Sequence, residues 1–226
     1  MTPQDERVAR GMATQLSDRA ERGARHLGWK VGFGTAQAMV KLGISAPLVG
    51  HLVASAQLDS GATVAIGDWD APRLEPEVAV HLASDVDAGG GRDAALAALG
   101  GLGAAIELVD LDPDADDPEE ILSRNIFQRA VLLGPVQDVR DTHGLRLRVL
   151  VDDEEAVDTS DITAATGDVF DAVASVAQTL EAAGERLRAG DVVIAGSIVA
   201  ALELEPGQDV VVELQPLGRL EVAFSA

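Results

Sequence analysis

The chain has no cysteine. Disulfides, thiolate zinc sites, iron–sulfur clusters and cysteine nucleophiles are thereby excluded. Aromatic residues are only 3% of the total, so a core must come from Ala, Val, Leu and Ile. Basic residues are scarce: 17 face 38 acidic ones, for a formal net charge of −21, and just two are lysines, Lys30 and Lys41. Such a surface has no basic footprint for nucleic acid and would be repelled by an anionic membrane. No apolar run approaches the roughly 18 residues of a membrane-spanning helix. The opening MTPQDERVARGM has no apolar core of a signal peptide. A cytoplasmic protein with no nucleic-acid or membrane partner is expected. Fixed-period repeats, a dinucleotide fingerprint and a phosphate loop are also missing, and GGG at 89–91 reads as a flexible turn.

The chain's 226 residues are 47% hydrophobic, enough for one domain with a real core. Residues 4–25 read as a polar helix, which sets residues 1–26 apart as a short helical N-terminal segment before a main domain at 27–226. HLGWKVGFG (26–34) reads as a strand. Thr35 caps a short helix that Gly43 ends, and SAPLVG (45–50) reads as a turn-rich loop. Strands are expected over 62–67, 73–83, 104–112, 126–134, 145–153, 191–197, 209–214 and 219–225. The small-residue stretch AALAALGGLGA reads as a helix with a glycine break. Residues 167–185 carry the best 3.6-residue apolar period. Helices and strands do not alternate regularly, which argues against a doubly wound sheet and for a mixed α and β architecture.

The acidic residues inside apolar strands carry the chemistry. In LEPEV, Glu75 and Glu77 are two apart, so a strand projects both from one face. Their repulsion must be offset by solvent, a proton, an arginine or a metal. A solvated strand face would suffice for that pair alone. Glu107, within Ala-Ala-Ile-Glu-Leu-Val, is harder to explain, because a buried glutamate is costly unless paired or metal-bound. Three glutamates on two strands make an all-oxygen ligand set suited to Mg²⁺ or Mn²⁺. Lys30, between Trp29 and Val31, either snorkels to the surface or supplies a cation beside the carboxylates as proton donor, base or partner of a substrate carboxylate. His81 reads as structural, while His26 and His51 flank loops that could line a pocket. Ser197 lacks a nucleophile elbow and an evident base.

The ordered pieces GWKVG, LEPEVAVHL, AAIELVD, RNIFQRAVLLG, GERLRAGDVVIAGSI and LGRLEVAF resemble the 2-keto-4-pentenoate hydratase branch of the fumarylacetoacetate hydrolase superfamily. The resemblance runs from about residue 27 to the end. It implies an α+β fold, a β-rich mixed roll with peripheral helices. It implies Glu75, Glu77 and Glu107 as ligands of Mg²⁺ or Mn²⁺, Lys30 as the catalytic lysine, and Gly196 and Ser197 as a substrate-side turn. The partner would be a small 2-oxo acid, and the assembly a homo-oligomer, with a pathway-partner enzyme as a further prospect. Some hydratases carry an aspartate in the loop where this chain has Leu48, a residue expected to touch substrate; decarboxylating relatives resemble the apolar version more closely. The third ligand strand continues into Leu111-Asp112 rather than Ser-Arg, so a local arginine for a substrate carboxylate is missing. The implied activity is a lyase on a 2-hydroxy-2,4-dienoate or its 2-oxo tautomer, hydratase type first. A 4-oxalocrotonate-type decarboxylase, an acylpyruvase-like carbon–carbon hydrolase and a non-catalytic assembly partner are the alternatives.

Overall fold

The computed structural model describes residues 3–226, with side chains from residue 6 onward. Five helices, α1 (Pro3–Glu21), α2 (Ala36–Leu42), α3 (Gly91–Ala98), α4 (Pro118–Ser123) and α5 (Val169–Ala182), flank thirteen strands. These are β1 (His26–Gly32), β2 (Leu48–Val53), β3 (Gln57–Leu58), β4 (Ala62–Ala65), β5 (Pro72–Leu82), β6 (Leu99–Asp110), β7 (Gln128–Leu133), β8 (Arg146–Val151), β9 (Glu154–Thr159), β10 (Val192–Ser197), β11 (Leu202–Glu203), β12 (Asp209–Gln215) and β13 (Gly218–Ser225). One mixed sheet has the order β2-β1-β10-β5-β6-β7-β3, with β11 also on β5; the other runs β4-β13-β12-β8-β9. Among the described residues no helix is long and apolar enough to cross a membrane.

Strand alternation divides the larger sheet into two faces. Leu74, Val78 and Val80 of β5, with Ala104, Ile106 and Leu108 of β6, join α5 and the second sheet in the main core. That core also takes Leu147, Val149, Val212 and Phe224. The opposite face bears a small apolar cluster of Leu52, Ala79, Ala105, Val131, Val192 and Ile194. The acidic residues singled out above lie on this second face.

Local chemistry explains several boundaries. The Thr35 hydroxyl accepts from the Ala38 N–H at 3.1 Å, and Gly43 ends α2 at φ 65°, as the sequence predicts. Asp168 caps α5 through the N–H groups of Phe170 and Asp171. Helix α1 packs against the core. Met12 is buried, and Gln15 Nε2 donates to the carbonyls of Val49 and Leu122 at 3.2 and 3.1 Å. Gly11 permits this approach, since a Cβ there would lie 2.8 Å from Glu119 O and from Leu122 Cβ.

Two stretches differ from expectation. Leu48–Val53 is a strand antiparallel to β1, not a loop. Pro47 precedes its first residue, where proline forfeits no ladder bond. Gly50 is not a breaker: a Cβ there would meet Lys30 Cγ at 2.8 Å and Asn125 Oδ1 at 2.9 Å. The helix expected from Ala94 ends at Ala98, and β6 takes over from Leu99. Its glycines serve close strand packing, for a Cβ on Gly101 would lie 2.4 Å from Gln137 O. Strand β9 is polar and exposed, so it lacked the apolar alternation by which the others were recognised.

The parallel junction of β1 with β10 is the most sterically demanding. A Cβ on Gly28 would sit 1.9 Å from Val192 O, against backbone that cannot turn aside. Gly28→Ala is expected to cost at least about 3 kcal/mol in urea unfolding, or to prevent folding. A melting temperature within about 2 °C of the parent would contradict this register.

Candidate metal centre

Three strands bring the site together. Glu75 on β5 stands directly opposite Glu107 on β6, and Glu77 stands opposite Ser197 on β10. Lys30 of β1 aligns with Ile194 of β10, which aligns with Ala79 of β5. Cross-strand partners share a face, so register alone aims Lys30 and the three glutamates into one space. One carboxylate oxygen from each of Glu75, Glu77 and Glu107 lies within 4.8 Å of the others.

This space is nearly dry. Glu77 and Glu107 are 0% exposed and Lys30 only 1%; Glu75 is half-buried. Lys30 Nζ forms an ion pair with Glu107 Oε1 and donates to Ile126 O at 3.2 Å. Gly196 N–H donates to Glu77 Oε2 at 2.7 Å. The remaining Glu77 Oε1 and Glu107 Oε2 have no hydrogen-bond donor. Buried acceptors without donors are costly, the more so when ionised.

Titration reflects the crowding. Burial, then the charges of Glu107 and Glu75, hold the Glu77 carboxyl well above the usual carboxylate range. Burial also raises Glu107, to about 7, with Glu75 adding to the rise while Lys30 opposes it. Glu75 is raised by burial. Fully ionised, the cluster carries three negative charges and one positive. The residual two negative charges and the orphaned oxygens match one divalent cation, and an all-carboxylate set suits a hard one.

A cavity of about 360 Å³ adjoins the cluster. Lys30, Glu75, Gly196 and Ser197 line it, whereas Glu77 and Glu107 do not. Gly196 is at φ 99°, and a hypothetical Cβ there would first meet Thr166, at 3.0 Å from its Cγ2. The Ser197 hydroxyl donates to Val199 O at 2.7 Å and has no base beside it. Leu48 departs from expectation. It is 1% exposed within the main core and does not line the cavity. Leu111, first of the Leu111-Asp112 pair that replaces the expected Ser-Arg, does line it, with Phe33, Val109, Ile126 and Val199.

The histidines stand apart from the trio. His26 Nε2 lies 3.1 Å from Asp191 Oδ1, and Trp29 Nε1 donates to Asp191 Oδ2 at 3.2 Å. His51 borders a different cavity, where burial and then the charge of Arg19 lower its pKa to about 4. His81 is on β5 beyond the site and does not line the metal cavity.

Sequence reasoning missed Thr166 and the wall formed by Ile126. The backbone at Asn125, Ile126 and Phe127 is left-handed, with φ of 50°, 51° and 62°. Three such residues in a row, one β-branched, cost of order 1–3 kcal/mol each. The Asn in RNIF was the only local signal, since Asn tolerates this region better than most residues.

Comparison with known proteins finds relatives across most of the chain. A 4-oxalocrotonate decarboxylase from a Pseudomonas species is 30% identical over 212 residues, 91% of this chain and 81% of that protein. A 2-keto-4-pentenoate hydratase from Paraburkholderia phymatum is 27% identical over 218 residues, 92% and 81% of the two chains. Among solved structures, the Pseudomonas putida 4-oxalocrotonate decarboxylase complexed with magnesium and adipate superposes with a TM-score of 0.83 at 22% identity, covering 92% of this chain and 81% of that one. Fumarylpyruvate hydrolase from Pseudomonas aeruginosa, in complex with Mn²⁺ and pyruvate, gives 0.65 at 16% identity, covering 89% and 90%. The Fumarylacetoacetate (FAA) hydrolase C-terminal model matches residues 30–225, the whole of the two-sheet body from the buried lysine onward, and the chain belongs to that family.

Proposed function

We propose that the protein is a divalent-metal-dependent lyase acting on a small unsaturated 2-oxo acid, with decarboxylation favoured over hydration. One observation carries this reading: Glu75, Glu77, Glu107 and the buried Lys30 converge beside a largely apolar cavity, which Glu75 and Lys30 line. Glu75, Glu77 and Glu107 would hold Mg²⁺ or Mn²⁺. The ion would supply Lewis-acid stabilisation of negative charge on the 2-oxygen of a chelating acid.

The protein's own groups divide the remaining work. Lys30 has three N–H donors; Glu107 and Ile126 O engage two. The third is available to a substrate oxygen or to the carbon that finally takes a proton. Phe33, Val109, Leu111, Ile126 and Val199 exclude water from the far end of the acid. A carboxylate stripped of water there is disfavoured relative to neutral CO₂. On breaking of its bond to the chain, the electron pair would move through the conjugated system to the 2-oxygen. A proton on carbon would complete the reaction.

Hydration needs a group that activates water near the distal carbon. Among the described residues lining the cavity, the only ionisable ones are Lys30 and Glu75, both part of the carboxylate–lysine cluster. Thr35, Thr166 and Ser197 offer hydroxyls only, so hydration is the second reading, supported by the hydratase relative. Mg²⁺-loaded protein given 4-oxalocrotonate is expected to release one CO₂ per 2-oxo acid consumed. Loss of dienol absorbance from a 2-hydroxy-2,4-dienoate without CO₂ would favour hydration, and turnover of neither acid would defeat the lyase reading.

Metal should stabilise the fold in a pH-dependent way. Because the folded-state pKa of Glu107 is raised to about 7, its contribution to metal-free stability is full below about pH 4 and is lost as pH rises through about 7. A bound cation replaces the proton. At a hundredfold excess over its dissociation constant, Mg²⁺ adds about 2.7 kcal/mol, or about 5–10 °C in melting temperature. The rise is expected to be larger at pH 8 than at pH 5.5, and an equal or absent rise at pH 8 would tell against the site.

Two substitutions separate metal binding from folding. Glu77→Gln keeps an acceptor for Gly196 N–H and removes a repelling charge. It should leave metal-free stability unchanged or higher while weakening Mg²⁺ at least about tenfold by calorimetry, a loss of 1.4 kcal/mol. Glu107→Gln strips the buried lysine of its counter-charge and should cost about 3–5 kcal/mol of stability. Unfolding curves that rank the two variants in the opposite order would show that the charges are differently coupled.

A further inference from the structure

The RNIF segment plays no part in holding metal, yet the structure is shaped around it. Its left-handed turn at Asn125–Phe127 is fastened by one side chain. Asn125 Oδ1 accepts from His51 N–H at 2.8 Å, and Asn125 Nδ2 donates to His51 O at 3.0 Å and to Gln128 Oε1 at 3.1 Å. Both backbone polar groups of His51 are thus clasped by one carboxamide. The turn delivers the Ile126 carbonyl to Lys30 Nζ and the Ile126 side chain to the cavity wall.

Two glycines on the flanking strands leave room for this arrangement. A Cβ on Gly50 would meet Lys30 Cγ at 2.8 Å and Asn125 Oδ1 at 2.9 Å. A Cβ on Gly32 would meet Ile126 Cγ2 at 2.7 Å. Lysine, turn and clasp are therefore one packed unit across β1, β2 and the segment before β7.

We propose that Asn125 is a positioning residue for Lys30: by clasping His51 it fixes the Ile126 carbonyl, which aims the third N–H of the lysine into the cavity. This deepens the lyase reading and rests on the part it gives Lys30. Without the clasp, the unfavourable backbone at 125–127 keeps only its own short-range bonds, Phe127 N–H to Arg124 O at 3.0 Å and Gln128 N–H to Asn125 O, with nothing tying it to β2 through His51. The turn would relax, the carbonyl would leave Nζ, and the ammonium would swing about Glu107 alone.

The test uses Asn125→Gly, because glycine tolerates positive φ and so removes the clasp without adding backbone strain. In the full chain loaded with Mg²⁺, kcat on 4-oxalocrotonate is expected to fall about tenfold to a hundredfold through misplacement of the lysine. KM and Mg²⁺ affinity should remain within about twofold, since neither Asn125 nor its partners hold the ion. A second readout does not depend on turnover. The chain has two lysines, Lys41 exposed and Lys30 buried. Acetic anhydride followed by peptide mass analysis should label only Lys41 in the parent, and Lys30 as well in Asn125→Gly. If that variant does not fold, Gln128→Ala, which removes one acceptor of the Asn125 carboxamide, should give the same changes in smaller measure.

Unchanged kcat in an active background, or Lys30 as protected as in the parent, would overturn the proposal. A parallel fall in kcat and Mg²⁺ affinity would also overturn it, marking a general loss of structure. If the parent turns over no 2-oxo acid, the lyase reading fails by itself, and the labelling result alone decides whether Asn125 holds the lysine.

Discussion

Placing three carboxylates in one dry space is the constraint around which this molecule is built. Glu77 and Glu107 have no solvent contact, and desolvation of a charge is among the largest penalties a fold can carry. Lys30 offsets one negative charge through Glu107, and Gly196 N–H offsets part of another. Without metal, protons can supply the remainder, since burial and the neighbouring carboxylates raise Glu77 and Glu107. A divalent ion can do the same while leaving every carboxylate ionised. The site is thus a local instability that binding relieves, and such a trade of stability for function is common in natural proteins.

A large sheet makes that arrangement tolerable. Carboxylates on a loop would separate, whereas β5 and β6 are paired along eleven registered positions from Pro72 to Leu82. Glu75 cannot move away from Glu107 without sliding a strand, and a slide of one residue would bury the charges in the main core. The apolar cluster of Ala79, Ala105, Val131 and Ile194 lies on the same face. It anchors that face and keeps water out.

The ligand set was readable in the sequence because its signal is local. Strand period two puts Glu75 and Glu77 together, and Glu107 is conspicuous within an apolar run. What was not readable is register. Nothing in either segment states that Glu75 faces Glu107 or that Lys30 lies on the same side. Those facts come from long-range pairing, and the family resemblance supplied them instead. Leu48 shows the limit of transferring a position by resemblance. Its residue number fits a substrate loop, but the backbone there is strand β2 and its side chain is in the core. Glycines misled in the same way. Gly50 and Gly101 look like breakers, yet each marks a close approach within a sheet. The turn at Asn125–Phe127 was illegible for a deeper reason: its left-handed backbone opposes local preference, so only tertiary contacts hold it.

The net charge of −21 sets how an acid can be recognised here. The long-range field repels an anion, so electrostatic steering cannot draw the substrate in. With a divalent ion bound, the three glutamates and Lys30 sum to zero formal charge. The site would then neither repel nor strongly attract an acid from a distance. Recognition must come from short-range contacts: chelation at the carboxylate cluster, the lysine N–H, and the fit of the chain against Phe33, Val109 and Ile126. Such contacts are little screened by salt, because they act well inside a Debye length of about 8 Å. They also favour an acid whose charge falls during reaction, since the apolar wall offers a second carboxylate no partner. A cavity beside a cation-binding cluster, with an uncharged wall, therefore discriminates by what happens to charge along the substrate. That is the physical basis for preferring loss of CO₂ to addition of water.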